Sequence, residues 1–140
     1  MKLVVDTKVL MSALIRNSIS RRIIVESGWT FYYPSVSLKE IENHEELILE
    51  KSGMGNEEYQ SILNVLFDYI RFISLEKFSG KMEEARQIIQ HIDPDDVVFL
   101  ALALSVKNDG IWTDDRHFQM QKEIKVYTTE QIVKDFDSED

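Results

Sequence analysis

Hydrophobic residues recur along the chain in two patterns, as short unbroken runs and as stripes with helical spacing. The short runs, mostly bounded by polar residues, Gly or Pro, predict strands over residues 3–5, 31–33, 71–73, 111–113 and 125–127. The stripes between them predict helices over residues 7–15, 20–27, 35–50, 57–69, 81–90, 96–107, 116–121 and 129–136. Strands that alternate with helices indicate an α/β fold, a three-layer sandwich with a mostly parallel central sheet.

The length and composition of the chain favour one domain. Its 140 residues include 5 Gly and 2 Pro and no linker-like stretch, so we expect a domain over residues 1–136 and a frayed tail over 137–140. The longest apolar run, residues 97–104, is far shorter than the roughly 18 residues of a membrane span, and Asp6 interrupts the apolar start too early for a secretory signal. The absence of cysteine excludes disulfides and thiolate metal sites. We therefore expect a cytoplasmic protein with no membrane partner.

Charge is distributed unevenly along the chain. The net charge is −9, which argues against a general nucleic-acid binder because phosphate contacts need Lys and Arg. Residues 1–39, however, hold six Lys or Arg and two acidic residues, a net +4, which leaves −13 for residues 40–140. We expect three of these cations to flank the sheet edge near the first strand, where they would guide a phosphate backbone: Arg16, Arg21 and Arg22. The alternative is the ordinary solvated charge of a helix.

Acidic residues follow two of the predicted strands and open the most apolar predicted helix. Asp6 comes directly after the first strand, Asp114 and Asp115 follow the strand at 111–113, and Asp96 starts the apolar helix. Because the carboxyl ends of parallel strands meet at one edge of a sheet, we expect these acids to converge. Two carboxylates about 4 Å apart repel by roughly 4 kcal/mol at an effective dielectric near 20, so the group calls for a cation. Oxygen ligands favour Mg²⁺ or Mn²⁺, which predicts phosphodiester hydrolysis.

Each acid also has a local explanation in helix capping. Asp93 would cap the apolar helix, with Pro94 in its first turn and Asp96 as an acidic residue at N3. Asp6 and the pair at 114–115 would likewise start the helices that follow them. Capping explains the acids one at a time, but it does not explain why two strands end in carboxylates over the same edge.

Four segments of the chain resemble the PIN-domain family of metal-dependent nucleases, the fold of VapC-type toxins. They are LVVDTKVLMSALIR, SLKEI, DPDDVVFLALAL and IWTDDRHF, and in this order and spacing they cover essentially the whole chain. The resemblance implies four acids that hold the metal and serve catalysis: Asp6, Glu40, Asp96 and Asp115. It also implies Asp114 as a secondary ligand and Thr113 as a small hydroxyl residue beside the substrate. Asp93 and Asp95 are second choices in place of Asp96.

The function implied by this resemblance is that of a Mg²⁺- or Mn²⁺-dependent endoribonuclease. Its substrate would be RNA, and its partners an antitoxin protein, as for a toxin of a toxin–antitoxin pair, and a second copy in a homodimer. Lys8 departs from the family, which usually has a small polar residue there; the lysine would either reach a substrate phosphate or compete with the metal. Lys8 and the −9 charge support the alternative of a catalytically silent PIN-like RNA-binding or scaffold protein. His117 follows the acidic pair, which would allow contact with substrate, but the preferred interpretation is an exposed or helix-lining histidine.

Overall fold

A five-stranded sheet forms the centre of the computed structural model, which describes residues 1–15, 18–89 and 94–139. The strands are β1 (Lys2–Val5), β2 (Thr30–Pro34), β3 (Ile70–Ile73), β4 (Gly110–Trp112) and β5 (Val126–Tyr127). Their order in the sheet is β3-β2-β1-β4-β5, and every neighbouring pair is parallel. The predicted α/β fold with a parallel sheet is therefore confirmed.

Helices flank this sheet. The α-helices among the described residues are α1 (Thr7–Ser12), α2 (Ile19–Glu26), α3 (Leu38–Asn43), α4 (Glu45–Ser52), α5 (Asn56–Asp68), α6 (Leu75–Phe78), α7 (Met82–Ile89), α8 (Asp96–Ser105) and α9 (Thr129–Ser138). Short 3₁₀ helices cover Ser35–Ser37, Ser79–Lys81 and Arg116–Met120. No helix in the described part of the chain is long and apolar enough to cross a membrane.

The most apolar segments of the sequence occupy the centre of the fold. Leu3, Val4 and Val5 of β1 are fully buried, because β1 lies between β2 and β4 and helices such as α8 cover the faces of the sheet. Helix α8 contacts these three strands as well as α7, and seven of its ten residues are buried. Parallel strands covered on both faces need such continuous apolar runs. This packing places the first residue of α8, Asp96, near the ends of β1 and β4.

The helix predicted over residues 35–50 is divided into three pieces, and His44 causes one of the breaks. The His44 ring donates from Nδ1 to the Glu40 carbonyl oxygen at 2.6 Å. The His44 amide bonds instead to the Ile41 carbonyl oxygen at 3.1 Å. Because the side chain replaces the amide at the Glu40 carbonyl, the α-helical pattern stops there and α4 begins at Glu45.

Other helix boundaries also differ from the sequence predictions. Helix α1 ends at Ser12 rather than at residue 15, and α6 was not predicted because four residues are too few for a periodic pattern. Helix α9 continues to Ser138, so residues 137 and 138 are helical, where the sequence analysis expected a frayed tail. Phe136 is buried in α9 and anchors this end of the helix against the core.

Candidate active site

Asp6 lies at the end of β1 and caps α1. Its backbone is extended, with φ −84° and ψ 169°, and its Oδ1 accepts a hydrogen bond from the Val9 amide at 2.8 Å. Its Oδ2 accepts a hydrogen bond from the Thr113 hydroxyl. Burial raises the pKa of Asp6, the hydrogen bonds from Thr113 and Val9 oppose this, and the charges of Asp114 and Asp115 raise the pKa further. The capping explanation and the shared acidic site therefore both apply to this residue.

Thr113 connects the acids at the ends of β1 and β4. It is fully buried directly after β4, where its hydroxyl donates to Asp6 and accepts a hydrogen bond from the Asp115 amide at 3.0 Å. The small hydroxyl residue expected from the motif therefore fixes the position of Asp6 relative to Asp115.

Asp96 and Asp115 meet at the same edge, together with a histidine. Asp115 accepts the His117 amide at 3.0 Å, which caps the short 3₁₀ helix that follows. The His117 Nδ1 atom lies 3.3 Å from Asp115 Oδ1 and 3.9 Å from Asp96 Oδ2. One oxygen of each carboxylate and one ring nitrogen of His117 all lie within 4.8 Å of one another. From the sequence, His117 is interpreted as exposed or helix-lining, with substrate contact as the alternative; its position two residues after Asp115 is the signal for a place at the site.

Glu40 extends from α3 to the site, where neighbouring hydroxyl groups hold its carboxylate. Its Oε2 accepts a hydrogen bond from the Thr7 hydroxyl at 2.5 Å, and the Thr7 hydroxyl lies 2.8 Å from the Tyr33 hydroxyl. Tyr33 donates to the Ser37 carbonyl oxygen at 2.9 Å, and burial raises the pKa of Tyr33. Sequence reasoning missed Thr7 and Tyr33, because nothing in their spacing relates them to Glu40.

These acids line one cavity of about 260 Å³, here called the acidic cavity. Its lining includes the four acids implied by the resemblance, Asp6, Glu40, Asp96 and Asp115, and the second-choice acid Asp95. Lys8 is exposed and also lines this cavity, as does His44. An adjoining cavity of about 410 Å³ shares Asp6, Lys8 and Asp115 and adds Asp114 and His117. The structure thus brings the four implied acids together and places Lys8 between two openings.

Asp114 is held by the start of α9. Its Oδ1 accepts the Thr129 amide at 2.7 Å, and its Oδ2 accepts the Thr129 hydroxyl at 2.6 Å. The Thr129 hydroxyl in turn accepts the indole N–H of Trp112 at 2.9 Å. This geometry gives Asp114 a structural link to α9, and its role as a secondary metal ligand stays a prediction. Asp93 lies outside the described residues.

Two of the three arginines expected beside Asp6, Arg21 and Arg22, lie elsewhere. The Arg21 guanidinium donates to the carbonyl oxygens of Ala13 and Ile15 at 2.9 and 2.8 Å. Arg22 pairs with Glu26 at 2.7 Å, and both arginines line a separate cavity between α2 and α5. The structure does not bring these two side chains to the acidic cavity, because each is held by a partner on α2 or at the end of α1. Arg16 lies outside the described residues.

The donor set at the acidic cavity fits a divalent metal ion. Several carboxylates share one small cavity, and the charges of Asp114 and Asp115 raise the pKa of Asp6, so a cation there would relieve repulsion. Carboxylate oxygens are the ligands that Mg²⁺ and Mn²⁺ prefer, and Mn²⁺ also accepts an imidazole nitrogen.

Comparison with known proteins agrees with this arrangement. The sequence model of a family described as "PIN domain" matches residues 4–138. No curated protein matches the chain significantly. A solved structure described as VapBC2 from Rickettsia felis bound to a DNA fragment from their promoter aligns with a TM-score of 0.67 at 17% identity. The alignment covers 91% of this chain and 98% of that chain, and at this identity it shows a shared fold. Since the family match spans nearly the whole sequence, the chain belongs to the PIN-domain family.

Proposed function

We propose that this PIN-domain protein is a divalent-metal-dependent nuclease that cleaves RNA internally, with Mg²⁺ or Mn²⁺ as its metal. The observation that carries the proposal is the acidic cavity, where Asp6, Glu40, Asp96 and Asp115 meet at the carboxyl edge of the sheet. Ligands of parallel α/β folds bind at this edge. Family membership supports the nuclease class, and the choice of RNA over DNA follows from the resemblance to VapC-type toxins.

The residues of the cavity have two proposed roles: some hold the metal, and others position the metal ligands. Asp96 and Asp115 would hold the ion directly, and Asp6 and Glu40 would complete its surroundings directly or through water. When bound, such an ion supplies a nucleophilic hydroxide from bound water and offsets charge on the scissile phosphate. Thr113 fixes the position of Asp6 relative to Asp115, and Thr7 orients the carboxylate of Glu40.

Lys8 supplies positive charge at the mouth of the acidic cavity. It is exposed and lines both cavities that meet at Asp6 and Asp115. An ammonium group is a compact phosphate ligand, so Lys8 would bind a phosphate next to the one that is cleaved. Thr113 is fully buried, so its contribution to substrate binding would pass through the two acids that it positions.

The proposed biological role is that of the toxin of a toxin–antitoxin pair, active in the cytoplasm. It is supported by the family and by the shared fold with a chain of the Rickettsia felis VapBC2 structure. An antitoxin would be its protein partner, and a homodimer its functional unit.

A cleavage assay tests the proposed function. Purified protein is incubated with structured RNA, unstructured RNA and DNA of the same sequences, in Mg²⁺, in Mn²⁺ and in chelator. We expect RNA cleavage that needs the metal and is lost in the double variant Asp6→Asn, Asp96→Asn. The matched control changes two exposed acids outside the cavity, Asp68→Asn and Asp137→Asn, and should cleave normally. Cleavage in chelator or in the double variant would contradict the proposal, and RNA binding without cleavage would favour the scaffold alternative.

A further inference from the structure

His117 folds back over the two acids at the mouth of the cavity. Its amide donates to Asp115 Oδ1 at 3.0 Å, which fixes the backbone so that the ring returns toward the same carboxylate. Nδ1 then lies 3.3 Å from Asp115 Oδ1 and 3.9 Å from Asp96 Oδ2. The side chain is 49% exposed, whereas that of Asp96 is 13% exposed, so the histidine forms the solvent side of the group.

These separations suit three ligands of one ion. Donors bound about 2.1–2.2 Å from an octahedral ion lie about 3.0 Å apart when adjacent and about 4.3 Å apart when opposite. The two nitrogen–oxygen distances, 3.3 and 3.9 Å, fall between these limits, and all three donors lie within 4.8 Å of one another. Small side-chain rotations would therefore bring them onto one metal.

Asp6 is engaged differently from these three residues. Its two oxygens accept hydrogen bonds from the Val9 amide and the Thr113 hydroxyl. Each Asp6 oxygen keeps a further lone pair, so Asp6 can complete the surroundings of the ion directly or through a water molecule, beside the group formed by Asp96, Asp115 and His117.

We propose that His117 binds the metal through Nδ1 together with Asp96 and Asp115, and that its imidazole makes the site favour Mn²⁺ over Mg²⁺. Mg²⁺ prefers oxygen ligands and keeps its waters, whereas transition-metal ions accept imidazole readily. A site with two carboxylates and one imidazole therefore distinguishes Mn²⁺ from Mg²⁺ more strongly than a site built from oxygen donors alone. The inference rests on the proposed function, since it assigns a ligand to the same metal.

Electron paramagnetic resonance of bound Mn²⁺ tests the ligand directly and without an activity measurement. Mn²⁺ is added to the full-length protein, and pulsed spectra are recorded for nitrogen coupling with unlabelled and with ¹⁵N-histidine-labelled protein. We expect a directly bonded nitrogen whose signal changes with the isotope and disappears in His117→Gln. The matched control is His44→Gln, which removes the other histidine described at the acidic cavity and should keep the coupling.

Metal affinities test the proposed preference. Titration calorimetry should show that His117→Gln weakens Mn²⁺ binding about tenfold or more while it changes Mg²⁺ binding by less than about threefold. His117→Asp supplies an oxygen donor in place of the nitrogen and should reduce the Mn²⁺/Mg²⁺ preference without loss of Mg²⁺ binding. Equal losses for both ions in His117→Gln would overturn the preference.

The outcomes separate this inference from the proposed function. Bound Mn²⁺ without nitrogen coupling in the wild-type protein would overturn the role of His117 and leave the carboxylate site intact, with the histidine as an ion-pair partner of the two acids. Coupling that survives in His117→Gln and is lost in His44→Gln would also overturn it. No Mn²⁺ binding by the wild-type protein would overturn both the inference and the proposed function.

Discussion

Asp6 combines a capping role with a buried charge, and one substitution separates the two. Asn caps a helix about as well as Asp, so Asp6→Asn retains an acceptor for the Val9 amide while it removes the charge. Because burial raises the pKa of Asp6, the folded protein binds the proton more tightly than the unfolded chain does, whose Asp pKa is near 3.8. The contribution of Asp6 to stability is therefore fully present below that pKa and is lost as the pH rises through the raised value.

We accordingly expect the metal-free Asp6→Asn variant to gain stability relative to the wild type as the pH rises from about 4 to about 8, since Asn does not ionise. Chemical unfolding of both proteins in chelator at several pH values measures this difference. The constant part of the difference includes the lost acceptor of the Thr113 hydroxyl, but the direction of the change with pH does not depend on it. A difference that is flat, or that falls with pH, would contradict a buried charged Asp6.

Tyr33 acts on the site through two other residues, which makes it a positioning residue for Glu40. Tyr33→Phe removes the hydroxyl that contacts Thr7 and the Ser37 carbonyl oxygen. We expect the free energy of unfolding to fall by about 1 kcal/mol and kcat to fall about tenfold, with KM for RNA nearly unchanged. The control is Tyr32→Phe, the preceding residue of β2, which lies outside the acidic cavity. A rise in KM at constant kcat would instead show that buried Tyr33 supports substrate binding rather than the position of Glu40.

Among the elements, those with long or uninterrupted apolar patterns could be predicted from the sequence. The strands and α8 follow from runs such as residues 3–5 and 97–104, which suit only a buried position. The break at His44 could not be predicted, because the apolar spacing continues across it and the break depends on a hydrogen bond from the ring to the Glu40 carbonyl oxygen.

At the site, too, some positions follow from a sequence pattern and others depend on tertiary contacts. The meeting of Asp6, Asp96 and Asp115 follows from parallel strand ends and could be expected from the sequence, whereas Glu40 was implied only by resemblance. Glu40 lies on α3, and the Thr7 hydroxyl holds its carboxylate at the site by a hydrogen bond. No sequence pattern indicates this tertiary contact. The position of His117 depends on the turn after β4, which periodicity does not describe.

Asp114, which follows β4, holds the start of helix α9 through two hydrogen bonds from Thr129. Asp114→Ala removes the acceptor for both the amide and the hydroxyl of Thr129, so we expect a loss of about 1–2 kcal/mol in the free energy of unfolding. Mn²⁺ affinity should fall modestly, because one negative charge beside Asp6 is lost, and by much less than in Asp115→Ala, which removes a proposed ligand. Calorimetry and chemical unfolding of the two variants measure both quantities. A loss of Mn²⁺ affinity as large as that in Asp115→Ala would support Asp114 as the secondary ligand that the family resemblance implies.

Over the whole molecule, the route of RNA is limited by a net charge of −9. The sequence predicts that an arginine patch guides the RNA. In the structure, however, Arg21 bonds to carbonyl oxygens at the end of α1 and Arg22 pairs with Glu26. Both line a cavity other than the acidic cavity. Lys8, in contrast, is exposed at the site itself. The structure therefore favours a phosphate contact at Lys8 over a guiding role for the two arginines.

The salt dependence of KM for RNA distinguishes these routes. Each lost phosphate contact on a single strand lowers the slope of log affinity against log salt by about 0.7, so Lys8→Ser should flatten it by about that amount. Arg21→Ala with Arg22→Ala should leave the slope unchanged and lower the melting temperature, because Arg21 loses its carbonyl partners. Lys8→Ser should also bind Mn²⁺ more tightly, since a cation leaves the mouth of the cavity. A flattened slope in the arginine variant with an unchanged slope in Lys8→Ser would place the RNA along α2 and restore the route expected from the sequence.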